Sequence, residues 1–279
     1  MLLTEDQVRT YEEDGFLLLP NCLSAEEIDA LRAQLAVEFA VDSERRVLEK
    51  SGNVVRSVYG SHAENEMFRR LVAHPRLLGP AMQLLQSTVY VYQFKINAKA
   101  AFGGDLWQWH QDYIFWLEED GLPEPRVVNM VLFLDEVNEF NGPIFFVKGS
   151  HKEGVLSARQ DEGVPDGYEG SPAWVSNLTA DLKYSVGRET VARKVLQSGL
   201  AAPKGPAGSL LLFHPNTLHG SSPNMSPFDR NLVIATYNST ENHPTKVQRP
   251  WFLVSRDFTP ILPLADGVTL TPEAAVTVS

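Results

Sequence analysis

Cysteine is almost absent from this sequence, which has only Cys22 among its 279 residues. A single cysteine excludes an internal disulfide framework and is typical of proteins in a reducing compartment. Long apolar runs are absent too, because no stretch approaches the roughly 18 consecutive apolar residues of a membrane helix. The opening MLLTEDQVRTYEEDG is acidic and lacks the basic start and apolar stretch of a signal peptide. We therefore expect a cytoplasmic protein with no membrane partner.

Clustered positive charge is also scarce. The chain has 24 Lys and Arg against 35 Asp and Glu, for a net charge of −11, and it has no basic run longer than pairs such as Arg45–Arg46 and Arg69–Arg70. Binding to a phosphate backbone draws on clustered Lys and Arg, so we expect no nucleic-acid partner. The composition is otherwise that of a globular protein, with an ample core for one large β-rich domain or two small ones. The sequence gives no indication of the oligomeric state.

The N-terminal part reads as helical. Thr4 and Ser24 each stand three residues before a Gln or Glu, a capping-box spacing, and each is followed by helical periodicity. These signals predict helices at about 4–14 and 24–40, with a short strand, FLLL, between them.

Further along, the pattern changes from helices to strands. Residues 64–86 predict one or two more helices, broken at Pro75 and Pro80. Apolar and β-branched runs then predict strands at 88–97, around 106–113, and at 126–134, 143–149, 208–213 and 230–238. Helices followed by many strands indicate an α+β protein, mainly β, whose second half is a sandwich or barrel.

The segment from about 154 to 207 has no clear apolar period. Unpatterned insertions of this length are commonly lids over binding sites, so we predict a lid here. The early helices need a sheet to cover, so the change near residue 87 does not indicate a domain border. We predict one domain over 1–279, with a helical flank at 1–87 and a β core at 88–279 that carries the 154–207 insertion.

The stretch LWQWHQDYIFW, residues 106–116, places His110 and Asp112 among aromatic residues. In a strand, residues i and i+2 face the same way, so the imidazole and the carboxylate would point to one place. Burying an unpaired carboxylate is costly, and it needs a cation or hydrogen bonds. A hydrogen-bonded core pair explains an isolated His-x-Asp more often than a metal site does.

A further histidine favours the metal site. The stretch LLLFHPNTLHGSSPN brings an apolar strand to a turn that carries His214 and His219. Two histidines and one carboxylate on one face of an iron ion form the arrangement of non-haem Fe(II) oxygenases. Zinc favours a closed tetrahedral set, and the chain has no C-x-x-C motif to supply thiolates.

Arg230 extends this pattern. It lies eleven positions after His219, at the start of the predicted strand RNLVIATYN, and a hairpin would return it to the metal. An arginine facing into a barrel is best matched by a carboxylate, although a surface position is equally open on sequence alone. A dicarboxylate that chelates iron at one end and pairs with Arg230 at the other would satisfy every buried charge, which is the role of 2-oxoglutarate.

The sequence resembles the phytanoyl-CoA dioxygenase family of Fe(II)/2-oxoglutarate oxygenases, and within it the ectoine-hydroxylase branch. The resemblance covers most of the chain, and HGSSPN with the following strand is its most specific part. The segments that carry it are YEEDGFLLLPNCLSAEEIDALR, VYQFKIN, WHQD with WLEEDGLP, NGPIFFVKGSHKEG and HGSSPNMSPFDRN. The family's fold is a double-stranded β-helix (a jelly roll, or cupin-like fold) with flanking helices.

The resemblance implies a role for each matched position. The iron ligands would be His110, Asp112 and His219, with His219 preferred over His214 because of the HGSSPN match and the Arg230 spacing. The residues that would contact 2-oxoglutarate are Arg230, Asn97, Ser221, Lys95 and Asn129. The residues that would contact the substrate are Gln93 and Trp116.

One departure concerns the substrate. The ectoine-hydroxylase signature runs W-H-S-D-F-E-T-W-H, where this chain has WHQDYIFWL. Changes at Gln111, Ile114, Phe115 and Leu117 are expected to reshape the pocket wall. The chemistry therefore transfers from the family, and the substrate does not.

The implied function is hydroxylation of an unactivated C–H bond in a small polar or zwitterionic metabolite, using Fe(II), 2-oxoglutarate and O2, with ascorbate as the reductant in vitro. Succinate and CO2 would be released. Related halogenases lack the carboxylate ligand, so Asp112 favours oxygenation. The alternative is the same oxidising chemistry used for desaturation, epoxidation or ring rearrangement in specialised biosynthesis. A non-catalytic jelly-roll binding protein would be expected to lack a ligand residue, and none is missing here.

An acyl-CoA substrate would need a basic patch for its phosphates. Four basic residues of the insertion keep this alternative open: Lys183, Arg188, Arg193 and Lys194.

Other prominent residues have simpler interpretations. Strand alternation directs Trp107, Trp109 and Phe115 away from the His110 face, so we predict that they pack in the core. The run Glu118–Glu119–Asp120 is predicted to be a solvated turn. The remaining histidines are predicted to be structural, capping or surface residues: His151, His62, His74 and His243.

Overall fold

The structure, a computed structural model, describes residues 1–156, 159–160, 165–265 and 267–270. Within them the α-helices are α1 Glu5–Asp14, α2 Ala25–Ala40, α3 Ser61–Glu64, α4 Glu66–Val72, α5 Pro75–Leu85, α6 Asp112–Asp120 and α7 Arg188–Ser198. The strands are β1 Phe16–Leu19, β2 Arg46–Leu48, β3 Val55–Tyr59, β4 Val89–Lys99, β5 Trp107–His110, β6 Val127–Phe133, β7 Ile144–Val147, β8 Arg159–Gln160, β9 Tyr184–Ser185, β10 Leu200–Ala201, β11 Leu210–Phe213, β12 His219–Ser221 and β13 Arg230–Ser239.

Two antiparallel sheets form the body of the protein. The larger has the order β1-β11-β6-β13-β4-β3-β2, and the smaller has the order β10-β7-β12-β5. An apolar cluster joins them, and in it Phe146 of the smaller sheet stacks on Phe16 of the larger with ring centroids 4.8 Å apart. Sheets that pack through alternate side chains in this way form a jelly roll. The predicted α+β, mainly β, fold with a double-stranded β-helix core is confirmed.

Helices cover the other face of the larger sheet. Leu31 of α2 and Leu78 of α5 join a cluster with Met130 of β6 and Val233 of β13, and all four are buried. The central strands β6 and β13 are therefore buried along their whole length. β6 is apolar apart from Asn129, whereas β13 also buries polar side chains. No helix in the described residues is both long and apolar enough to cross a bilayer.

The N-terminal predictions are largely confirmed. Both capping boxes form, with Thr4 at the start of α1 and Ser24 at the start of α2, and FLLL is strand β1. Pro75 begins α5, but Pro80 lies inside that helix and does not end it, contrary to the prediction. The burial of Leu77, Leu78 and Ala81 outweighs the missing backbone hydrogen bond.

The segment predicted as a helical flank, residues 1–87, also contributes strands to the larger sheet. Strands β1, β2 and β3 all lie within 1–87 and extend the sheet at both edges. β2 and β3 were missed because they are short and lack clear alternation.

The strand predicted around 106–113 is partly wrong, because β5 ends at His110 and α6 begins at Asp112. A run of nine residues with mixed polarity carries too weak a helical period to be recognised in sequence.

The 154–207 insertion contains structure of its own. Its described residues form β9, α7 and β10, and a 3-10 helix at Ala173–Asn177; β8 pairs with β9. Backbone bonds tie it to the smaller sheet, since Val186 N donates to Trp109 O at 2.7 Å. The predicted lid includes 157–158 and 161–164, which lie outside the described residues.

The acidic run at the end of α6 is not the predicted solvated turn. Only Glu118 is exposed. Glu119 pairs with Lys183 Nζ at 2.5 Å, and Asp120, which is 0% exposed, forms a two-point ion pair with Arg249 at 2.8 and 2.5 Å. The Tyr92 hydroxyl also donates to Asp120. Sequence reasoning missed this because Arg249 lies 129 residues away.

We predict that Asp120→Asn lowers the free energy of unfolding by about 3 kcal/mol or more, because it leaves the Arg249 guanidinium buried and unpaired. Urea unfolding followed by circular dichroism measures the change. Glu118→Gln makes the same acid-to-amide change at the exposed neighbour and should leave stability within about 0.5 kcal/mol. Equal effects in the two variants would contradict the structural role of the pair.

Candidate active site

Two histidines face each other across the smaller sheet. β5 and β12 pair antiparallel with His110 directly opposite His219, and the ring centroids are 4.2 Å apart. Directly opposite residues of an antiparallel pair project from the same face. Both imidazoles therefore line one cavity between the sheets.

Asp112 reaches the same point from the first turn of α6. Its Oδ1 lies 3.5 Å from His110 Nε2 and 3.9 Å from His219 Nε2. Gln111 makes the strand-to-helix turn, and its side-chain amide donates to Gly154 O at 2.9 Å and to Asn216 O at 2.6 Å. The expected convergence is present, although a helix start produces it rather than strand alternation. Gln111 is anchored away from the cavity, so its difference from the ectoine-hydroxylase signature does not reshape the pocket wall.

Backbone carbonyls orient both imidazoles. His110 Nδ1 lies 2.6 Å from Gln108 O, and His219 Nδ1 lies 2.9 Å from Thr217 O. A carbonyl only accepts, so each Nδ1 carries the proton and each Nε2 presents its lone pair to the cavity. Burial, with repulsion from His110, lowers the pKa of His219 to about 3, which keeps this ring neutral. Neutral imidazole is the form that binds metal.

Asp112 is held as an anion. Burial alone would raise its pKa, but the positive charge of Lys95, together with the neighbouring histidines as polar partners, outweighs burial and holds the pKa below its ordinary value. Asn129 Nδ2 donates to Asp112 Oδ2 at 2.8 Å, and Thr236 Oγ1 donates to Asn129 Oδ1 at 2.7 Å. These contacts leave Asp112 Oδ1 as the oxygen that faces the histidines.

The donor set fits a ferrous ion. The candidate ligand atoms of His110, Asp112 and His219 all lie within 4.8 Å of one another, and all three residues are buried. Two imidazoles and one carboxylate suit non-haem iron, with coordination positions left for co-substrate and O2. The structure groups His219 with His110 and Asp112. The His214 ring instead lies 5.2 Å from the His151 ring between centroids, in a tilted arrangement, and its Nδ1 accepts from Asn216 N.

The base of the cavity is cationic. Arg230 lines it at 2% exposure, and its Nε has no hydrogen-bond partner among the described residues. Burial lowers the pKa of Arg230 to about 9, opposed in part by Asp135. Lys95, Asn97 and Ser221 line the same cavity, and Asn97 Oδ1 also has no partner in the described part of the chain. A buried guanidinium without an acceptor fits an anionic ligand.

Asn129 lies elsewhere. It does not line the cavity, and its contact is with Asp112 rather than the expected contact with 2-oxoglutarate. Lys99, which sequence reasoning missed, lies close to this end of the cavity and donates to Ser221 Oγ at 2.8 Å. Gln93, Lys95, Asn97 and Lys99 alternate along β4, and this period of two could have identified Lys99.

The mouth of the cavity is largely apolar. Gln93 and Trp116 line it as predicted, with Gln93 Nε2 donating to Leu253 O at 2.8 Å. Sequence reasoning missed several other lining residues, among them Tyr59, Phe213, Ile234, Arg249, Asn177, Leu178 and Leu182. The lining combines apolar walls with a few convergent polar groups, as is usual for small-molecule sites.

Trp107 and Phe115 pack in or against an apolar cluster as expected, but the prediction that they face away from His110 is wrong for local structural reasons. Trp107 lines the cavity because a bulge in β5 pairs Ser221 with Trp107 while His219 pairs with His110. Phe115 lines it because Asp112, Phe115 and Trp116 share one face of helix α6. Of the four changes expected to reshape the pocket wall, only Phe115 lines the cavity.

The predictions for Trp109 and for the other histidines hold with one exception. Trp109 packs beside the Val147–Leu218 cluster, His74 caps α5, and His243 is exposed. His151 packs against Gly15 and lies 3.1 Å from Glu12 O. His62 is neither exposed nor a cap, and its ring lies 5.2 Å from that of Phe94.

Comparison with known proteins agrees with this site. The family model of phytanoyl-CoA dioxygenases (PhyH) matches residues 11–232. The chain is 41% identical over 265 residues to L-proline trans-4-hydroxylase of Streptomyces griseoviridis, covering 94% of this chain and 96% of that protein. It is 37% identical over 257 residues to ectoine dioxygenase of Bordetella bronchiseptica, covering 86% of this chain and 77% of that protein.

A solved structure shows the same fold. The crystal structure of EctD from S. alaskensis with 2-oxoglutarate and 5-hydroxyectoine superposes with a TM-score of 0.77 at 29% identity, covering 94% of this chain and 87% of that one. With the family match and the His–Asp–His cluster, this assigns the reaction class. The chain therefore belongs to the phytanoyl-CoA dioxygenase family and is an Fe(II)/2-oxoglutarate-dependent dioxygenase.

Proposed function

We propose that this dioxygenase hydroxylates a C–H bond of free L-proline or a closely related cyclic amino acid. The observation that carries the reaction type is the convergence of His110, Asp112 and His219 beside the unpaired Arg230 in one cavity. The substrate class follows from the similarity to L-proline trans-4-hydroxylase, which extends over nearly the full length of both proteins. Both that protein and the ectoine dioxygenases are named for small zwitterionic substrates.

We assign each lining residue a task. Fe(II) is bound by His110, Asp112 and His219, and Asn129 fixes the Asp112 carboxylate. Arg230 donates to the distal carboxylate of 2-oxoglutarate, as its fork of N–H groups suits a bidentate acceptor. The further co-substrate contacts are Lys95, Asn97 and Ser221.

When bound, Fe(II) and 2-oxoglutarate supply the oxidising power: substrate C–H, O2 and 2-oxoglutarate give substrate C–OH, succinate and CO2. The chain's own contribution is orientation and exclusion of water. The Gln108 and Thr217 carbonyls keep both Nε2 atoms available, and the apolar wall that includes Phe213 and Trp116 limits solvent access.

We assign substrate recognition to the mouth of the cavity. Gln93 and Trp116 contact the substrate, with the Trp116 ring held edge to face against Tyr92 at 5.2 Å between centroids. Asn177 Oδ1, which is buried without a partner among the described residues, is an acceptor for the substrate nitrogen. Arg249 already pairs with Asp120, so it supports the wall more than it adds free charge.

We further propose that residues 1–279 act as one catalytic domain in the cytoplasm, with 154–207 as its lid. The family match at 11–232 crosses the change in pattern near residue 87, which supports one domain. The lone thiol of Cys22 suits a reducing compartment that also keeps iron ferrous. An acyl-CoA substrate is less well supported, because Lys183 and Lys194 are already paired with Glu119 and Glu153.

The first prediction separates the two candidate histidines. His219→Ala should abolish Fe(II) binding and 2-oxoglutarate consumption, because it removes one of three ligands. His214→Ala should keep both, because His214 contacts His151 rather than Asp112. Iron content and succinate release measure the outcome, and loss of iron in His214→Ala alone would contradict the assignment.

A second prediction concerns Asn129. Asn129→Ala should lower metal affinity by about 10–100-fold, because the hydrogen bond that orients Asp112 is lost. Thr236→Val, which removes only the donor to Asn129, should give a smaller loss in the same direction. A raised KM for 2-oxoglutarate with unchanged metal affinity would instead support the co-substrate contact predicted from the sequence.

The substrate proposal is tested by product analysis. Protein supplied with Fe(II), ascorbate and 2-oxoglutarate should release succinate faster with L-proline than with ectoine, and the product should be heavier by one oxygen atom. A product lighter by two hydrogen atoms would indicate desaturation. Succinate release that does not respond to any cyclic amino acid would refute the proposed substrate class and leave the reaction class standing.

A further inference from the structure

Lys99, the last residue of β4, is buried in a channel shaped for its side chain. It is 1% exposed although lysine is almost never fully buried unless paired. Gly104 and Gly142 leave space for it: a Cβ on Gly104 would lie 2.6 Å from Lys99 Cβ, and one on Gly142 would lie 2.9 Å from Lys99 Cδ. The side chain is thereby directed to one place.

That place is the Ser221 hydroxyl. Lys99 Nζ donates to Ser221 Oγ at 2.8 Å and also to the Ser222 carbonyl. Both acceptors are neutral, and no carboxylate among the described residues forms an ion pair with Lys99. An ammonium held only by neutral groups in the interior is costly, which indicates that its anion is missing.

A second buried cation stands beside it. Lys99 lies directly opposite Arg230 in the β4–β13 register, and Arg230 Nε has no partner in the described part of the chain. Burial, and then the positive charges of Arg230 and Arg56, lower the pKa of Lys99 to about 6, and the charges of Glu49 and Asp105 oppose this shift only in part. The ammonium form is therefore disfavoured in the ligand-free protein, and an anion bound beside it favours that form. Two neighbouring cations repel in the free protein, and an anion between them would relieve the repulsion.

The hydroxyl chemistry links Lys99 to the cavity. A serine hydroxyl has one proton and two acceptor lone pairs. Because Ser221 Oγ accepts from Lys99, its own proton is free to be donated, and Ser221 lines the cavity beside Arg230. Lys99 does not line the cavity itself, so it acts through Ser221.

We propose that Lys99 is a positioning residue for 2-oxoglutarate: it turns the Ser221 hydroxyl into a fixed donor and adds a second positive charge to the site that binds the distal carboxylate. This inference rests on the proposed function of the cavity. It differs from a structural role, in which Lys99 only fills the channel and an apolar side chain of equal length would serve as well.

The test compares two keto acids. 2-Oxoglutarate and 2-oxopentanoate share the metal-binding end, but only the first has a distal carboxylate. Calorimetric titration of the Mn(II)-loaded protein measures both affinities without turnover. In Lys99→Met, affinity for 2-oxoglutarate should fall about tenfold or more, because a charge-assisted contact is lost, while affinity for 2-oxopentanoate should stay within about threefold. Lys204→Met, an exposed lysine, is the matched control and should change neither.

Protein stability provides a second readout. Replacing an unpaired buried lysine by an apolar residue of similar length should leave the unfolding temperature of ligand-free protein equal or higher. A folded Lys99→Met that keeps the wild-type preference for the dicarboxylate would overturn the proposal. An equal loss of affinity for both keto acids in Lys99→Met would also overturn the proposal. A wild-type protein that binds neither keto acid would instead refute the proposed function.

Ser221→Ala tests whether Lys99 acts through the Ser221 hydroxyl. Ser221→Ala should lose the same preference for 2-oxoglutarate over 2-oxopentanoate. The double variant Lys99→Met/Ser221→Ala should bind 2-oxoglutarate at most about twofold more weakly than the more affected single variant, because both changes disrupt the same hydrogen-bonded pair. Fully additive losses would show that Lys99 does not act through Ser221. If Lys99→Met does not fold, Ser221→Ala alone decides, and an unchanged preference for the dicarboxylate overturns the proposal.

Discussion

The register between β5 and β12 is the constraint on which the site depends. It places His110 opposite His219. The bulge in β5 then pairs Trp107 with Ser221, which turns Trp107 to the same face. A slip of β12 by one residue against β5 would turn His219 to the other side of the sheet, away from His110. Asp112 then needs only a helix that starts at the end of β5, and Gln111 fixes that start through contacts to Gly154 and Asn216.

The buried basic residues of this protein are of two kinds, those that are paired with a carboxylate and those that are not. Arg56 contacts Glu49 at 3.0 Å and Arg249 contacts Asp120, so both arginines are paired with a carboxylate. The Arg249–Asp120 pair also joins distant segments, as does the bond from Arg56 Nε to Leu178 O. Arg230 and Lys99 have no such carboxylate in the described residues. Unpaired buried cations destabilise the free protein, and the surrounding core must offset them. The pattern is that of a site organised in advance for an anion, where charge is in place before the ligand arrives.

Local signals in the sequence predicted local structure well. Thr4 and Ser24 cap their helices as expected, and the apolar runs became β4, β6, β11 and β13. The metal-site residues were predictable because H-x-D and HGSSPN are short motifs. Strand alternation could not predict that Trp107 faces the cavity, because a bulge depends on how two strands pair. Asp120 and Arg249 were missed for the same reason: their partners are far apart in the chain.

Part of the cavity wall comes from the segment where the sequence pattern is weakest. The segment after residue 165 attaches to the strand and helix that carry the candidate ligands: Leu182 N donates to Gln108 Oε1 at 3.1 Å, and Lys183 pairs with Glu119 of α6. It thereby brings Asn177, Leu178 and Leu182 to the cavity wall. Because these contacts are made by an insertion rather than by the sheets, its sequence can change without disturbing the β5–β12 register. Family members can therefore share one iron site and differ in the molecule they oxidise.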